Sequence, residues 1–209
     1  MPRQFFSLLS SSGRLFATGG TSTGERWPRA HNAAYGLGTE TQETCTSYNL
    51  LKLARHLYYW TGDVALADYL ERNQLNAVLG TQRGPGEFLY TLPLGRGVSK
   101  AASGHGWGHP QAAFWCCYGS AVESFARLGE DVFFTGVTSV ASSSSAAAAV
   151  SCPTTPEASS LSHTRPTLYI NRLVSAQADW EAGVRVRVTA ALLPEAAAAV
   201  SVATVQVRC

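Results

Sequence analysis

Two adjacent cysteines, Cys116 and Cys117, lie in the aromatic and glycine-containing stretch "FWCCYG" at 114–119. Neighbouring residues reach the geometry of a disulfide only with strain, so this pair points to another use. Both thiolates can instead bind one metal ion without bonding to each other. The five cysteines of the chain are also odd in number and scattered in spacing, which is not the pattern of a disulfide framework.

The segment "TETQETCTSYN" at 39–49 supplies two more candidate ligands, Glu43 and Cys45. Three thiols and one carboxylate, two from each segment, can complete a tetrahedral zinc site. Each residue also has a simpler interpretation: Cys45 as a small buried apolar residue, and Glu43 as a carboxylate favoured by a helix N-terminus. Glu40 competes with Glu43, and composition does not choose between them.

Three other ionisable residues lie in glycine-rich segments. Glu25 follows Gly24 in "GGTSTGERW" at 19–27, and two histidines, His105 and His109, lie in "HGWGH" at 105–109. The histidines form a competing ligand set with the cysteines, but the glycines around them predict a loop in which their spacing fixes no common face. We therefore rank both histidines as substrate-side or structural residues.

The elements that must position these residues are predicted to be mostly helical. Apolar residues recur at Leu50, Leu53, Ala54 and Leu57, which predicts a helix over 48–60 with one buried face. Asp63 then predicts the N-cap of a second helix over 64–79, with Gly80 as its end. The short turn between the two predicts an antiparallel hairpin.

A third helix is predicted near Ser120, because Ser120 and Glu123 have the spacing of a capping box. The region 81–117 before it is long, rich in glycine and irregular, and long ordered loops of this kind usually carry function. Within it, "FLYTLPL" at 88–94 predicts one short strand.

The C-terminal part alternates apolar and polar residues at 167–174, 184–193 and 199–208, which is the period of half-buried strands. Residues 135–166 are rich in Ser, Ala and Pro, and are predicted to be an irregular linker. The predicted organisation is therefore a helical domain over 1–134, this linker, and a β domain over 167–209.

Composition narrows the class of partner. The chain is 45% hydrophobic and 14% charged, which is sufficient for a packed core. A net charge of +2 is too small to indicate nucleic acid or an anionic membrane as partner. No apolar run approaches the roughly 18 residues of a transmembrane helix. The apolar stretch at the start is short for a signal peptide, so the sequence does not assign a compartment.

Several ordered blocks resemble conserved blocks of glycoside hydrolase family 127, the β-L-arabinofuranosidases and their relatives, including plant and algal members. The resemblance covers about residues 14–134, and it is carried by "LFATGGTSTGERW", "GTETQETCTSYNLLKLARHLYYWTGDVALADYLERNQLNAVLGTQ", "LYTLPLGRGVSK" and "FWCCYGSAVESFARLGEDVFF". "LYINRLVSAQADW" at 168–180 resembles the first strands of the family's β-sandwich.

This resemblance implies a mainly α fold, a partial (α/α) helical-hairpin barrel followed by the start of a β-sandwich. It also implies a zinc-dependent retaining glycosidase that acts on a carbohydrate and uses a cysteine nucleophile. Matched position by position, Glu43, Cys45, Cys116 and Cys117 are the zinc ligands, Cys116 is also the nucleophile, and Glu25 is the general acid/base.

A complete barrel of this family needs more helical hairpins than the chain contains, so we expect a truncated relative. Three hypotheses follow: a family-127 glycosidase, impaired by truncation; a zinc-binding structural module without turnover; and a remnant that neither folds alone nor binds metal. Only the first predicts glycoside cleavage that depends on Glu25, and the third predicts no effect of a chelator on folding.

Overall fold

The computed structural model describes residues 1–84, 86–109, 111, 113–139, 164–172, 174–180, 183–193 and 200–208. The chain divides into two units, Met1–Leu128 and Gly129–Cys209. Most of the predicted linker, 140–163, lies outside the described residues, as do Cys152 and Cys209. Within the described residues, no helix combines the length and the apolar character needed to cross a membrane.

The first unit is helical, as predicted. Its α-helices are α1 (Pro2–Ser11), α2 (Thr44–Thr61), α3 (Val64–Asn73) and α4 (Cys116–Ala126). Short 3₁₀ turns lie at Ala33–Gly36 and Lys100–Ala102. Helix α1 was not predicted. Its single proline, Pro2, is compatible with a helix because it occupies the first turn.

The two predicted central helices are confirmed. Helix α2 ends at Gly62, whose backbone is left-handed with φ 64°, and the Asp63 carboxylate caps α3 by accepting a hydrogen bond from the Ala65 backbone N–H at 3.1 Å. The second helix does not remain α-helical to residue 79, because the chain continues as a π turn at Gln74–Val78 and a 3₁₀ turn at Leu79–Thr81.

The core of this unit lies where α2 packs against α3 and α4. From α2, the predicted apolar face is buried at Leu50, Ala54 and Leu57, whereas Leu53 is half-buried. Leu70 of α3 and Ala121 of α4 are almost fully buried opposite them. Burial of this face stabilises helices that would be marginal alone.

The predicted capping box at Ser120 is wrong. Helix α4 begins at Cys116, with Trp115 at the N-cap position, so that Ser120 lies inside the helix. In a capping box the Ser120 oxygen would accept a hydrogen bond from a backbone N–H of its own helix. Inside the helix, the Ser120 hydroxyl instead donates to the Cys45 sulfur of another helix at 3.2 Å.

The predicted strand at 88–94 is present only in fragments. Strands β1 (Gln82–Arg83) and β2 (Glu87–Phe88) form an antiparallel pair. Beyond Phe88, pairing continues as single bridges, from Leu89 to Trp107, from Thr91 to Glu43 and from Leu94 to Gly38. The last two of these bridges join the region after β2 to the segment that leads into α2.

The second unit is a β structure, which confirms the predicted C-terminal strands. Strands β3 (Phe133–Ser139) and β4 (Thr164–Ile170) pair antiparallel. Strands β5 (Ala176–Asp179), β6 (Arg185–Leu193) and β7 (Val200–Arg208) form an antiparallel sheet in that order. A buried ion pair joins Arg172 to Asp131 at 3.1 Å.

The range 135–166 is not irregular at its two ends. Strand β3 extends to Ser139 and pairs there with Thr164, the first residue of β4. β-branched and aromatic residues favour strands, and "FFTGVTS" contains five such residues among seven. Composition averaged over the Ser- and Ala-rich stretch concealed these local preferences.

Candidate metal centre and active site

Four side chains gather where the N-termini of two helices meet. Glu43 is the N-cap residue of α2 and Cys45 its second residue, while Cys116 and Cys117 are the first two residues of α4. Their ligand atoms all lie within 4.8 Å of one another. These four residues, hereafter the thiol cluster, could hold a metal ion.

Cys117 lies at the centre of the thiol cluster and is fully buried. Its Sγ is 3.0 Å from Cys45 Sγ, 3.5 Å from Glu43 Oε1 and 4.0 Å from Cys116 Sγ. The three cysteines are free thiols. Because one buried sulfur contacts the other three ligand atoms, the cluster is a connected set of donors and not a chance grouping of surface residues.

The carboxylate of Glu43 is oriented by two hydroxyl groups. Ser22 and Thr46 donate hydrogen bonds to Glu43 Oε2, at 3.3 and 3.1 Å, which leaves Oε1 directed at Cys117. Glu40, the competing carboxylate, is outside the cluster, and its Oε2 lies 3.7 Å from His105 Nδ1. The structure therefore separates the two glutamates that composition left equivalent.

The surroundings of Cys45 and Cys117 shift the pKa values of the two thiols in opposite directions. Helix N-termini carry partial positive charge and lower the pKa of cysteines placed there. The hydrogen bond from Cys117, with a smaller one from Ser120, lowers the pKa of Cys45 to about 6 against the opposing effect of burial. That same hydrogen bond, followed by burial, raises the pKa of the Cys117 thiol. The contact between the two sulfurs thus shifts the two pKa values in opposite directions, down for Cys45 and up for Cys117.

Tyr90 links this cluster to Glu25. Its hydroxyl donates to Glu25 Oε1 at 2.5 Å and lies 3.1 Å from Cys116 Sγ. Burial, followed by these two hydrogen-bonding partners, raises the pKa of Tyr90, so the phenol keeps its proton. The Glu25 oxygen and the Cys116 sulfur are therefore at most about 5.6 Å apart, which is the sum of their distances to the Tyr90 hydroxyl. That limit admits the roughly 5–5.5 Å that separates the catalytic carboxyls of retaining glycosidases.

Glu25 stands at the tip of a tight turn. Thr23 and Arg26 exchange backbone hydrogen bonds at 2.9 and 3.2 Å, and the two residues between them, Gly24 and Glu25, have φ of 54° and 60°. Positive φ at both central positions is the geometry of a type I′ turn, which favours glycine or asparagine over glutamate. A glutamate held in this strained conformation is typical of a functional position.

The segment that carries Tyr90 is attached to the start of α2. The Thr44 hydroxyl donates to the Leu89 and Tyr90 carbonyls at 3.1 and 3.0 Å, and the Thr44 backbone N–H donates to the Tyr90 carbonyl at 3.2 Å. Farther along, the Leu92 backbone N–H donates to the Gln42 carbonyl at 2.9 Å. The residues on either side of Glu43 thus determine where the Tyr90 side chain lies.

Aromatic rings surround the Tyr90 side chain. The imidazole of His105 stacks on the Tyr90 ring with centroids 4.3 Å apart, and Trp115 approaches both rings edge-on. His109 is exposed and belongs to no ligand cluster among the described residues. His105 therefore lies beside the site as a packing partner, and neither histidine joins the thiol cluster.

An open cleft of about 430 Å³ borders the other side of the thiol cluster. Glu43 and Cys45 line it together with Asn49. Its apolar lining includes Phe5 and Trp27, whose rings meet edge-on with centroids 6.3 Å apart. Glu43 and Cys45 are accordingly reached from solvent through this cleft, whereas Cys117 is buried behind them.

Two residues of this site were not predicted from the sequence. Tyr90 was assigned only to a strand and Ser120 only to a helix cap, yet each places its hydroxyl on a sulfur of the thiol cluster. A single tyrosine or serine in an apolar pattern carries no spacing signal. Only the pairing of distant segments could identify them.

Comparison with known proteins gives one family. Residues 3–130 match the family described as β-L-arabinofuranosidase, GH127 catalytic domain, which is more than half of the 209 residues. The matched region contains all the residues of the thiol cluster, as well as Glu25 and Tyr90. No curated protein matches the chain significantly.

Proposed function

The chain belongs to the GH127 β-L-arabinofuranosidase catalytic-domain family, and from that premise we propose that it is a zinc-dependent retaining glycosidase with a cysteine nucleophile. Its substrate would be a carbohydrate carrying β-L-arabinofuranose or a closely similar sugar. One observation carries the proposal: the Tyr90 hydroxyl contacts both Glu25 and Cys116, so a carboxyl group and a thiol of the cluster face the same small space.

Zinc is the metal best suited to this donor set. Thiolates favour zinc, whereas magnesium and calcium require oxygen ligands. Tetrahedral zinc, at about 2.3 Å from sulfur and about 2.0–2.2 Å from oxygen, requires donor atoms roughly 3.6–3.8 Å apart. The separations around Cys117 are 3.0, 3.5 and 4.0 Å, and all four donor atoms lie within 4.8 Å of one another. Glu43, Cys45, Cys116 and Cys117 would therefore hold the ion after small side-chain shifts.

In the first step we assign Cys116 as nucleophile and Glu25 as general acid. The Cys116 sulfur attacks the anomeric carbon, the bond to the leaving-group oxygen breaks, and Glu25 gives that oxygen its proton. When bound, zinc keeps the thiols deprotonated at neutral pH, where a free cysteine is mostly a poorly nucleophilic thiol. The product is a thioglycosyl enzyme on Cys116.

In the second step Glu25 acts as general base. Its carboxylate removes a proton from water, the water oxygen attacks the anomeric carbon, and the carbon–sulfur bond breaks to restore the Cys116 thiolate. Glu25 ends the cycle protonated, ready for another leaving group. Two displacements at one carbon retain the configuration of the sugar.

Tyr90 is proposed as a positioning residue for both groups. While Glu25 is protonated, the Tyr90 hydroxyl can donate to the Cys116 sulfur, and once Glu25 has lost its proton the same hydroxyl can donate to the carboxylate. The phenol itself never loses its proton in this scheme. Its hydrogen bond thus follows whichever partner carries the negative charge.

The test is hydrolysis of aryl β-L-arabinofuranosides by the zinc-loaded chain. Cys116→Ser should abolish turnover, because a hydroxyl beside zinc is a far weaker nucleophile than a thiolate. Glu25→Gln should lower the rate by about 10²–10⁴-fold for poor leaving groups and much less for good ones, which leave without a proton. Peptide mass spectrometry should find the pentosyl adduct on Cys116.

A matched control is Glu40→Gln, which removes a neighbouring carboxylate that is outside the cluster. It should leave the rates unchanged. Full activity of Cys116→Ser would end the assignment of the nucleophile. An equal loss for good and poor leaving groups in Glu25→Gln would mean that Glu25 only positions the sugar.

A second function, a structural zinc site without turnover, is supported by the placement of the ligands. Contacts between Cys45 and Cys117 join the N-termini of α2 and α4, so a metal there would tie two packed helices together. Under this alternative a chelator lowers the melting temperature, whereas no adduct forms on Cys116. A melting curve that the chelator does not change would contradict both functions.

A further inference from the structure

The sheet of β5, β6 and β7 has two chemically different faces. Along β6, Val186 and Val188 are buried, while Arg185 and Arg187 between them are exposed. Side chains alternate between faces along a strand, so the valines define an apolar face and the arginines an opposite polar face. The polar face is the one available to a partner.

Strand register extends this polar face into a grid, hereafter the arginine grid. Its members lie opposite one another on the three strands: Gln177 and Asp179 on β5, Arg187 and Arg185 on β6, and Gln206 and Arg208 on β7. Neighbouring strands are about 4.8 Å apart, and alternate residues along a strand about 6.6 Å apart. All six residues are exposed.

The charges of the arginine grid are not balanced from within. Asp179 pairs with Arg185 at 2.5 Å, and Arg187 donates to the neutral Gln177 side chain at 3.0 Å. Asp179 is the only carboxylate in the described residues of this sheet, and within that same part of the chain the Arg208 side chain has no ion-pair partner. Three guanidinium groups thus face one carboxylate.

Arg185 and Arg208 form a like-charged pair across β6 and β7, in which Asp179 offsets only the charge of Arg185. The two residues are directly opposite on adjacent strands, and like charges in that position destabilise a sheet. A cavity of about 70 Å³ lies among Arg185, Arg187, Gln206 and Arg208. A cavity holds one water from about 10–15 Å³ upward, so this space is large enough for a carboxylate or sulfate group.

We propose that the arginine grid is a binding surface for an acidic polysaccharide. Guanidinium groups pair with carboxylate and sulfate through two parallel hydrogen bonds, and such a glycan repeats one of these groups from sugar to sugar. Several arginines on one flat face can therefore contact successive charges of one chain. The choice of a glycan over other polyanions depends on the proposed function, whereas the anionic character of the ligand depends only on the grid.

The experiment measures binding of the full chain to three polysaccharides at low ionic strength: polygalacturonate, which carries carboxylates; dextran sulfate, which carries sulfates; and neutral arabinan. We expect binding to at least one acidic polymer, weakening as salt is added, and none to arabinan. Arg208→Gln should raise the Kd about 10- to 100-fold, the cost of losing hydrogen bonds to a charged group.

Arg96→Gln is the matched control, because it removes the same charge from an exposed residue of the other unit. It should change the Kd less than twofold. Cys116→Ser should bind as tightly as the unmodified chain, so failure of the proposed hydrolysis and failure of this surface are distinguishable.

Three results would overturn the proposal. The first is no binding to either acidic polymer. The second is an equal loss in Arg96→Gln and Arg208→Gln, which would mean that net charge alone attracts the polymer. The third is tighter binding of DNA or RNA with the same dependence on Arg208, which would assign the grid to nucleic acid.

Discussion

Replacing Glu43 by glutamine, with Glu40→Gln as its control, is the sharpest test of the metal centre. Both changes convert one carboxylate into an amide of the same shape, three residues apart in the chain. Glu43 Oε1 lies 3.5 Å from the central sulfur of Cys117, whereas Glu40 Oε2 lies beside His105. Only the first substitution should weaken zinc binding.

The expected loss of zinc affinity in Glu43→Gln follows from the charge of the ligands. Three thiolates and one carboxylate place four negative charges around a divalent ion, and glutamine removes one of them. Loss of an outer hydrogen-bonding partner already costs 10- to 100-fold in metal affinity, so loss of a ligand should cost about 100-fold or more. At zinc equal to 100 times the original Kd, stabilisation would fall from about 2.7 to about 0.4 kcal/mol.

Calorimetry measures the stabilisation by zinc as a shift in Tm, and competition with a chromophoric chelator measures the zinc Kd. A domain of this size gains about 3–4 °C in Tm per kcal/mol, so zinc should raise the Tm by about 9 °C in the unmodified chain and in Glu40→Gln. The rise should be only about 1 °C in Glu43→Gln. An unchanged zinc Kd in Glu43→Gln, with the metal-free fold intact by circular dichroism, would refute the carboxylate ligand. Equal losses in both variants would attribute the effect to general charge.

Three other substitutions test particular contacts. Tyr90→Phe should lower kcat about tenfold or more with little change in zinc content, because Glu25 and Cys116 lose a shared hydrogen-bonding partner. The control, Tyr118→Phe, leaves the Tyr90 hydroxyl in place and should keep its rate. Equal losses in both variants would point to packing. Ser120→Ala should weaken zinc binding about tenfold through Cys45, measured by the same chelator competition, and an unchanged Kd would exclude that role. Asp63→Ala should lower the free energy of unfolding by about 1 kcal/mol in urea titration because α3 loses its cap, while an effect under a few tenths would mean that packing alone determines the start of the helix.

Local sequence patterns correctly predicted several helices and strands of this protein. Apolar spacing at Leu50, Ala54 and Leu57 predicted helix α2, and Asp63 predicted the start of α3, because both signals depend on residues within one or two turns. Period-two alternation similarly predicted the C-terminal strands. The sequence blocks that resemble the family identified Glu25 and the residues of the thiol cluster as candidates. The structure brings these residues close together.

Contacts between distant groups depended on the tertiary fold. Composition left Glu43 and Glu40 equivalent and the family resemblance favoured Glu43; in the structure Ser22 and Thr46 orient Glu43 toward Cys117, while Glu40 lies beside His105. Helix α4 begins at Cys116 and not at Ser120, whose hydroxyl donates to a sulfur of another helix.

Tyr90 shows why local sequence predicts elements but not the contacts between them. Its position depends on hydrogen bonds between segments more than forty residues apart, from Thr44 to the Leu89 and Tyr90 carbonyls. A local pattern carries no information about which distant backbone a side chain will meet. The arginine grid is a similar case, because Arg185 and Arg208 become neighbours only through the register of β6 and β7.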